Sequence, residues 1–237
     1  MMSVVIPARD EVRSVAGVVR RVHEALAHEA HEVLVVDDGS RDGTGAAALA
    51  AGARVVTPGG GGQGYGAAIK AGAAEARGTW LAIIDADGTY PESALPGLLA
   101  AVRAGARQAI GARPGFGPGE SLARSGVKAL FRCAVYWVGG FRAPDLNSGL
   151  RVLRTADFRA LAPVLPDRFS LTTTLTLALA AAGEPTVFLP IPYGAREGRS
   201  KWRPVRDTWR MGRTVARGIG WLRAGRAPRS LATREPR

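Results

Sequence analysis

Two aspartates one residue apart, Asp85 and Asp87, form the pattern with the clearest chemical potential. They follow the apolar run 81–84, and Pro91 after them is typical of the start of a helix. Two carboxylates at the mouth of a buried strand suit a hard cation such as Mg²⁺ or Mn²⁺, which keeps open positions for phosphate oxygens. Because aspartate pairs are also common in turns, the pair predicts a metal and diphosphate site only together with its surroundings.

A second acidic pair, Asp37 and Asp38, ends the apolar run 33–36. One of these carboxylates could accept a hydrogen bond from a nucleobase N–H. A turn with a helix cap is the structural alternative, above all for Ser40 and Asp42. The pair therefore indicates either a nucleotide contact or a well-formed turn.

Residues 62–67, Gly-Gln-Gly-Tyr-Gly-Ala, also fit the dinucleotide fingerprint G-x-G-x-x-A, with Asp85 or Asp87 about 20 residues further on. This pattern offers an NAD(P)-binding oxidoreductase as an alternative. However, the fingerprint belongs in the first βα turn, whereas here it follows the third strand-like run. It would also leave the two acidic pairs without a joint purpose.

Short β-branched runs alternate with alanine-rich helical runs along the chain, which predicts βαβ units around a mainly parallel sheet. Ligands gather at the carboxyl ends of such strands, so the polar segments that follow the strands should converge on one crevice. We predict strands near 3–6, 32–36, 54–57, 80–84 and 108–111, and helices near 12–28, 42–51, 64–77 and 92–104.

Length and composition favour one α/β domain: 237 residues, 46% hydrophobic, with 31 glycines and 15 prolines. The single cysteine, Cys133, cannot form an internal disulfide, which indicates a reducing compartment. We expect no export signal at the start. Since no uninterrupted apolar run reaches about 18 residues, we also expect no segment that spans a bilayer.

The formal charge of +12 is concentrated at the end of the chain, where 12 arginines and Lys201 face three acids from Arg196 onward. Charge alone would suit anionic lipid or nucleic acid. From Val205 to Leu222, apolar residues including Trp209 recur at helical spacing between arginines, which is typical of an interfacial helix. We therefore expect a core domain at 1–204, a basic amphipathic helix and tail at 205–237, an anionic membrane surface as partner, and no nucleic-acid partner.

A second amphipathic stretch, 127–138, combines an apolar helical face with Tyr136 and Trp137. It predicts either a further membrane contact or a helix packed on the core.

Taken in order, these motifs resemble the family 2 glycosyltransferases with a GT-A fold, specifically the dolichol-phosphate mannose and polyprenyl-phosphate sugar synthases. The likeness covers about residues 3–205 and includes three later motifs. These are Gly111-Ala112-Arg113, the segment 145–151 (Asp-Leu-Asn-Ser-Gly-Leu-Arg, with Leu150 where the family has Phe), and Ile191-Pro192-Tyr193 followed by the basic run 196–201.

The resemblance implies an α/β GT-A fold with a mainly parallel mixed sheet flanked by helices. It also implies metal-dependent, inverting transfer of a sugar from a GDP-mannose or UDP-glucose type donor to a polyprenyl or dolichyl phosphate. The expected location is cytoplasmic, peripheral to the inner face of the membrane. The resemblance leaves open a partner membrane subunit or a homo-oligomer.

By the same resemblance, each motif residue receives an expected role. Arg9 stands where the family has Tyr, and Thr89 stands where many members have a metal-contacting Gln. The nucleotide-sugar residues are Pro7, Arg9, Glu11, Val36, Asp38, Gly64, Asp85 and Ala86; the metal residues are Asp85, Asp87 and Thr89. The acceptor-phosphate residues are Arg113, Arg124, Arg196, Ser200 and Lys201; the catalytic residues are Asp87, Asp145, Arg113 and Arg124.

The nature of the acceptor decides between the remaining alternatives. A phosphomonoester is largely dianionic at neutral pH and needs little help from a general base, and the three histidines lie away from every motif. A soluble or polysaccharide hydroxyl acceptor would need a base more than a cationic clamp. A nucleotide-binding or membrane-surface protein without turnover is the third class, but it has no evident need for Asp85 and Asp87.

Overall fold

A computed structural model describes residues 1–114, 133–138, 140–192, 194 and 204–225. These residues build a seven-stranded sheet flanked by helices. The strands are β1 Met2–Ala8, β2 His31–Asp37, β3 Arg54–Val56, β4 Trp80–Ile83, β5 Gln108–Ala112, β6 Arg151–Arg154 and β7 Thr186–Pro190. The helices are α1 Val15–Ala25, α2 Thr44–Ala50, α3 Tyr65–Glu75, α4 Leu95–Arg103, α5 Thr155–Leu161, α6 Leu171–Ala181 and α7 Pro204–Ala224, with a further helical stretch at 133–138.

The sheet has the strand order β3-β2-β1-β4-β6-β5-β7 and is mainly parallel. β6 is the exception, since it runs antiparallel to both of its neighbours, β4 and β5. Every residue of β1 is buried, as expected for a central strand that is covered on both faces. This confirms the α/β class with a mixed, mainly parallel sheet.

Two apolar layers hold the helices on opposite faces of the sheet. One core joins α1 and α4 to the sheet and includes Val18, Leu98 and Ile84. The other joins α3, α5 and α6 to the opposite face. Helix α3 lies close to the strands because Gly72 has no side chain: a Cβ there would lie 2.5 Å from Val5 Cγ1. Close packing of α3 holds its first residue, Tyr65, at the carboxyl edge of the sheet.

Helix α7 packs against α6. Val215 is buried in a third apolar cluster with Leu177 and with Val135 of the 133–138 stretch. Gly218 permits this contact, because a Cβ there would lie 2.3 Å from Leu177 Cδ1. The described part of the C-terminal segment is therefore packed on the core along one face. No helix in the described ranges has both the length and the hydropathy to cross a membrane.

Helical spacing in the sequence places Trp209 and Ala216 on the predicted apolar face of this helix, with Val205, Gly212, Ile219 and Leu222. In the structure Trp209 is 62% exposed and Ala216 is also exposed, whereas Val215, which was not on that face, is buried. In the 133–138 stretch, the helical spacing of the sequence predicts Val138 on the apolar face, but Val138 is 48% exposed, beside exposed Tyr136 and Trp137.

Candidate active site

The carboxyl ends of three neighbouring strands lie side by side. β1 and β2 remain paired up to Ala8 and Asp37. β4 lies parallel to β1 on its other side, so the turn with Asp85 and Asp87 leaves the sheet beside the segment that follows β1. The strand ends therefore converge as the sequence predicted.

The turn after β4 holds Asp87 deep in the structure. Asp87 is 3% exposed, and its Oδ1 accepts hydrogen bonds from Thr89 Oγ1 at 2.7 Å and from the Thr89 amide at 3.2 Å. Gly88 makes the turn possible because its φ is +70°. The hydroxyl of Thr89 thus bonds to the carboxylate of Asp87 and orients it, whereas the family resemblance implied a direct metal contact for Thr89.

Asp85 is positioned from two sides. The hydroxyl of Tyr65, the first residue of α3, donates a hydrogen bond of 2.8 Å to Asp85 Oδ1. On the other side, a Cβ at Gly149 would lie 2.6 Å from both carboxylate oxygens of Asp85. Removal from water, and then the negative charge of Asp85, raise the pKa of Tyr65 well above its usual value, so the phenol stays protonated and donates.

The glycine-rich segment before α3 is folded onto Asp38. The carboxylate of Asp38 accepts from the amides of Gln63 (2.8 Å) and Gly64 (2.9 Å), and its carbonyl accepts from the amide of Gly62 (2.8 Å). Asp38 is only 5% exposed. Because Asp38 engages the amides of Gln63 and Gly64, they are not presented to a diphosphate as the dinucleotide fingerprint would require.

The segments after β1 and β2 are fastened to each other. The amide of Glu11 donates to Thr44 Oγ1 at 2.8 Å, and the amide of Val12 donates to Asp42 Oδ2 at 3.1 Å. Asp42 also accepts from the amide of Thr44 at 3.0 Å, which makes it a turn residue. Gly43 occupies the N-cap position of α2, so neither Ser40 nor Asp42 is the cap residue, but the turn in this alternative is confirmed.

The expected nucleotide residues occupy this edge in different ways. Pro7 and Ala86 are buried, and Val36 is fully buried with its side chain in the core beneath α3. Arg9 is exposed, and its guanidinium lies against Gly62, where a Cβ would be 3.0 Å from Nη1. A side-chain contact of Val36 with a base is therefore excluded by its position, whereas Arg9 lies at the surface of the crevice.

Arg113 and Asp145 form a two-pronged ion pair. Arg113 Nε donates to Asp145 Oδ2 at 2.6 Å, and Nη2 donates to Oδ1 at 2.9 Å. Nη2 also lies 3.1 Å from Asn147 Oδ1. The side chains are 16% and 9% exposed, so the pair is largely withdrawn from water. Two expected catalytic residues are thus brought together, but their charged groups bind each other.

A fully buried arginine, Arg151, lies beneath the segment that carries Asp145 and Gly149. Its guanidinium donates to the carbonyls of Ser148 (2.6 Å) and Thr172 (3.0 Å) and to Thr176 Oγ1 (3.1 Å). Burial lowers the pKa of Arg151 to about 10, and the nearby acidic groups oppose this shift only in part. Arg151 therefore ties the segment with Asp145 and Gly149 to α6.

The remaining expected residues, Arg124, Arg196, Ser200 and Lys201, lie outside the residues that the structure describes. Within the described ranges, no three His, Cys, Asp or Glu side chains cluster as a complete metal cage. Two carboxylates, each oriented by a hydroxyl donor, fit an ion that takes its other ligands from water and a diphosphate.

The profile of glycosyl transferase family 2 matches residues 3–159. The chain belongs to this family. Membership of this family contradicts the oxidoreductase alternative, which is wrong.

Two of the curated relatives of the chain come from Haloferax volcanii. The low-salt glycan biosynthesis hexosyltransferase Agl6 is 30% identical over 218 residues, which are 88% of this chain and 51% of Agl6. The chain thus spans about half the length of that relative. A dolichyl-phosphate hexose transferase is 27% identical over 220 residues, which are 91% of this chain and 92% of the relative.

Solved structures support the GT-A fold of this glycosyltransferase. Glucosyl-3-phosphoglycerate synthase from Mycobacterium tuberculosis, in complex with Mn²⁺, uridine-diphosphate and phosphoglyceric acid, superposes with a TM-score of 0.71 at 21% identity. The match covers 96% of this chain and 79% of the synthase.

Four residues that orient the expected site residues, Tyr65, Tyr90, Gly149 and Arg151, received no individual role from the sequence. Tyr65 and Gly149 flank Asp85, and the amide of Gly149 donates to the hydroxyl of Tyr90 at 2.8 Å. Arg151 anchors the same segment from below. A usable signal existed for Tyr65, the one large side chain in a glycine-rich run, and for Arg151, a cation that begins an apolar strand.

Proposed function

We propose that this glycosyltransferase moves a hexosyl group from a nucleotide diphosphate-sugar to a polyprenyl phosphate at an anionic membrane surface. The observation that carries the proposal is the position of Asp85 and Asp87, which leave β4 beside the segments after β1 and β2. The dolichyl-phosphate hexose transferase aligns with 91% of this chain, and its name supports a lipid phosphate as the acceptor.

The donor would lie across the three strand ends. Pro7, Arg9 and Glu11 would border the nucleotide on one side, and the Gly62–Gly64 segment, shaped by Asp38, would border it on the other. Because Asp38 holds this segment with its carboxylate, we infer that it acts on the nucleotide mainly by shaping the wall of the pocket. The exposed guanidinium of Arg9 could stack on a base, in the place of an aromatic ring.

Asp85 and Asp87 would hold a Mg²⁺ or Mn²⁺ ion, supported by the hydroxyls of Tyr65 and Thr89. When bound, such an ion supplies positive charge against the departing diphosphate. The protein's part is orientation: each carboxylate has an oxygen fixed by a donor, and Gly149 leaves room for Asp85.

The acceptor step follows from the charge of a phosphomonoester. A phosphate oxygen would attack the anomeric carbon as the bond from that carbon to the diphosphate oxygen breaks, with inversion at the carbon. No base is needed, because the attacking oxygen is already ionised at neutral pH. Arg113 would contribute positive charge near the reacting atoms together with Arg124, Arg196, Ser200 and Lys201, which lie outside the described residues.

A hydroxyl acceptor is the second candidate, and the Arg113–Asp145 pair favours it. Arg113 donates two hydrogen bonds to Asp145, so one edge of its guanidinium is already bound to a carboxylate and does not face an acceptor phosphate. The fixed carboxylate of Asp145 is also a candidate base for a hydroxyl. Phosphoglyceric acid in the name of the solved synthase complex supports a small soluble acceptor of this kind.

The membrane surface in this proposal comprises exposed aromatic residues that flank the third apolar cluster. Trp137 is 79% exposed and Trp209 is 62% exposed, with Arg213 stacked 4.8 Å from the Trp209 ring. Tryptophan beside arginine is suited to the headgroup region of an anionic bilayer. In this proposal the protein is cytoplasmic and peripheral to the inner face of the membrane, with the helix and tail at 205–237 appended to a core at 1–204.

A vesicle experiment tests the membrane part of the proposal. Trp209→Ala and Trp137→Ala should each reduce sedimentation with anionic vesicles, because each removes an interfacial side chain. Leu49→Ala is the matched control, since Leu49 is 65% exposed on α2. Equal pelleting of all variants and the unaltered protein would contradict the membrane contact.

A donor and acceptor screen tests the reaction. UDP- and GDP-sugars are combined with Mn²⁺ and one of three acceptors: a short polyprenyl phosphate, 3-phosphoglycerate or a soluble sugar. The proposal predicts that the polyprenyl phosphate supports the fastest release of nucleotide diphosphate. Faster release with a hydroxyl acceptor would favour the second candidate, and no release above that of Asp87→Ala with any acceptor would reject both.

A further inference from the structure

A cavity of about 500 Å³ opens beside the turn that carries Asp87. It lies between the start of α1, the backbone of Gly88 and Thr89, and the residues that follow β7. The amide of Gly194 donates to the Thr89 carbonyl at 3.0 Å, which fixes the wall formed after β7. Two arginines, Arg13 and Arg21, line the cavity, and neither belongs to the donor or acceptor residues proposed above.

Arg21 is held in a defined orientation. Its Nε and Nη2 donate to the two carboxylate oxygens of Glu92, each at 3.0 Å, and the Glu92 side chain is only 6% exposed. A Cβ at Gly17 would lie 3.0 Å from Arg21 Nη1, and a Cβ at Gly88 would lie 3.6 Å from Nη2. The guanidinium therefore lies close to two glycines, and the Arg21 side chain remains 49% exposed.

The lining residues that the structure describes carry a net positive charge. Among them, Glu92 is the one acid, and it is paired with Arg21. The exposed guanidinium of Arg13 adds a second cation to the wall. Guanidinium groups match the geometry of phosphate oxygens with paired N–H donors.

We propose that this cavity is a second anion site, which binds a phosphate or phosphomonoester group through Arg13 and Arg21. The site is separate from the carboxylates of Asp85 and Asp87, whose preference is for a cation. The occupant would lie against Gly88 and Thr89, and the amide of Thr89 is also the group that donates a hydrogen bond to Asp87 Oδ1. The phosphate group belongs either to a free metabolite or to a lipid headgroup.

Amide NMR of the full chain tests the site directly. Inorganic phosphate and glycerol phosphate are titrated at constant ionic strength with a chelator present, which removes binding through divalent metal. We expect the amides of Gly17, Gly88 and Gly194, which lie in the cavity wall, to shift saturably. Arg13→Ala should weaken the apparent affinity about tenfold, because it removes charge-assisted hydrogen bonds.

Arg20→Ala is the matched control, since Arg20 is an exposed arginine on α1 outside the cavity. It should bind phosphate like the unaltered protein. Absence of saturable shifts with either probe, or equal affinity in Arg13→Ala and Arg20→Ala, would overturn the proposal. Sugar transfer without added phosphate should be unchanged in Arg13→Ala, so failure of the anion site leaves the proposed function standing.

Sedimentation with phosphatidate vesicles identifies the source of the phosphate group. If the cavity takes a lipid headgroup, Arg13→Ala should pellet less than Arg20→Ala, although both variants lose one positive charge. If it takes a free metabolite, the two variants should pellet equally and glycerol phosphate should bind in solution. Either result supports the site when Arg13→Ala also weakens the phosphate titration of the cavity-wall amides relative to Arg20→Ala.

Discussion

The hydroxyl of Tyr65 lies 2.8 Å from Oδ1 of Asp85 and donates a hydrogen bond to it. The preceding residue, Gly64, donates its amide to Asp38 Oδ2 at 2.9 Å. The start of α3 therefore bridges the acids that follow β2 and β4. A short backbone segment thus sets the relative position of the proposed nucleotide wall and the proposed metal site.

Removing the hydroxyl of Tyr65 should impair transfer without unfolding the protein. Tyr65→Phe keeps the ring, which stacks 5.6 Å from Phe169, but it removes the donor to Asp85. Because a hydrogen bond to a charged group is involved, we expect kcat/KM to fall about tenfold. Tyr136→Phe, at an exposed tyrosine, serves as the control. Equal kcat/KM for the two variants would show that Tyr65 does not orient Asp85.

The stability of the protein should decrease as the pH rises above about 10. Burial raises the pKa of Tyr65 in the folded protein, so above that pH the unfolded chain releases the phenolic proton while the folded chain retains it. The contribution of Tyr65 is complete below the unfolded pKa and is lost as the pH rises toward the folded pKa. Urea unfolding at pH 8 and pH 11 should show a smaller decrease for Tyr65→Phe. An identical decrease in both proteins would contradict the assignment.

A methyl group at Gly149 should displace Asp85. In Gly149→Ala the new Cβ would lie 2.6 Å from both carboxylate oxygens, which is too close for any real contact. We expect metal-dependent transfer to fall by at least tenfold, since the carboxylate must move. In Gly97→Ala the nearest atom is Leu189 Cδ1 at 3.9 Å, so this variant should keep full activity. Comparable activity of the two variants would argue against a fixed position of Asp85.

Arg113 and Asp145 should be strongly coupled. Arg113→Ala leaves a carboxylate that is only 9% exposed without its bidentate partner, which should cost about 3 kcal/mol of unfolding free energy. Asp145→Ala and the double variant complete a double-mutant cycle, for which we expect a coupling energy of about 1–3 kcal/mol. Additive effects of the two substitutions on urea unfolding would show that the ion pair contributes no coupling.

The first five strands and four helices could be predicted from the sequence because their hydrophobic periodicity is local. For example, the run predicted at 32–36 lies within β2, and the helix predicted at 64–77 contains α3. β6 and β7 were not predicted. β6 is a short run between a glycine-rich segment and a helix, and its antiparallel place between β4 and β5 depends on contacts distant in sequence.

The position of the acids at the strand ends could be predicted from the sequence, but their hydrogen-bond partners could not. Asp85 and Asp87 stand out because they follow a buried apolar run and precede the start of a helix. The sequence contains no sign that Asp38 would bind the amides of Gln63 and Gly64, since that contact spans more than 20 residues. The pairing of Arg113 with Asp145 likewise depends on the folded position of two distant segments.

Manganese binding in the presence of a nucleotide diphosphate tests the central claim most directly. Mn²⁺ is titrated into the protein with UDP or GDP, and free ion is measured by electron paramagnetic resonance for the unaltered protein, Asp87→Ala and Glu24→Gln, an exposed control on α1. We expect one Mn²⁺ bound per chain with either UDP or GDP in the unaltered protein and the control, and none detectable in Asp87→Ala. Equal Mn²⁺ binding by all three proteins would contradict this claim.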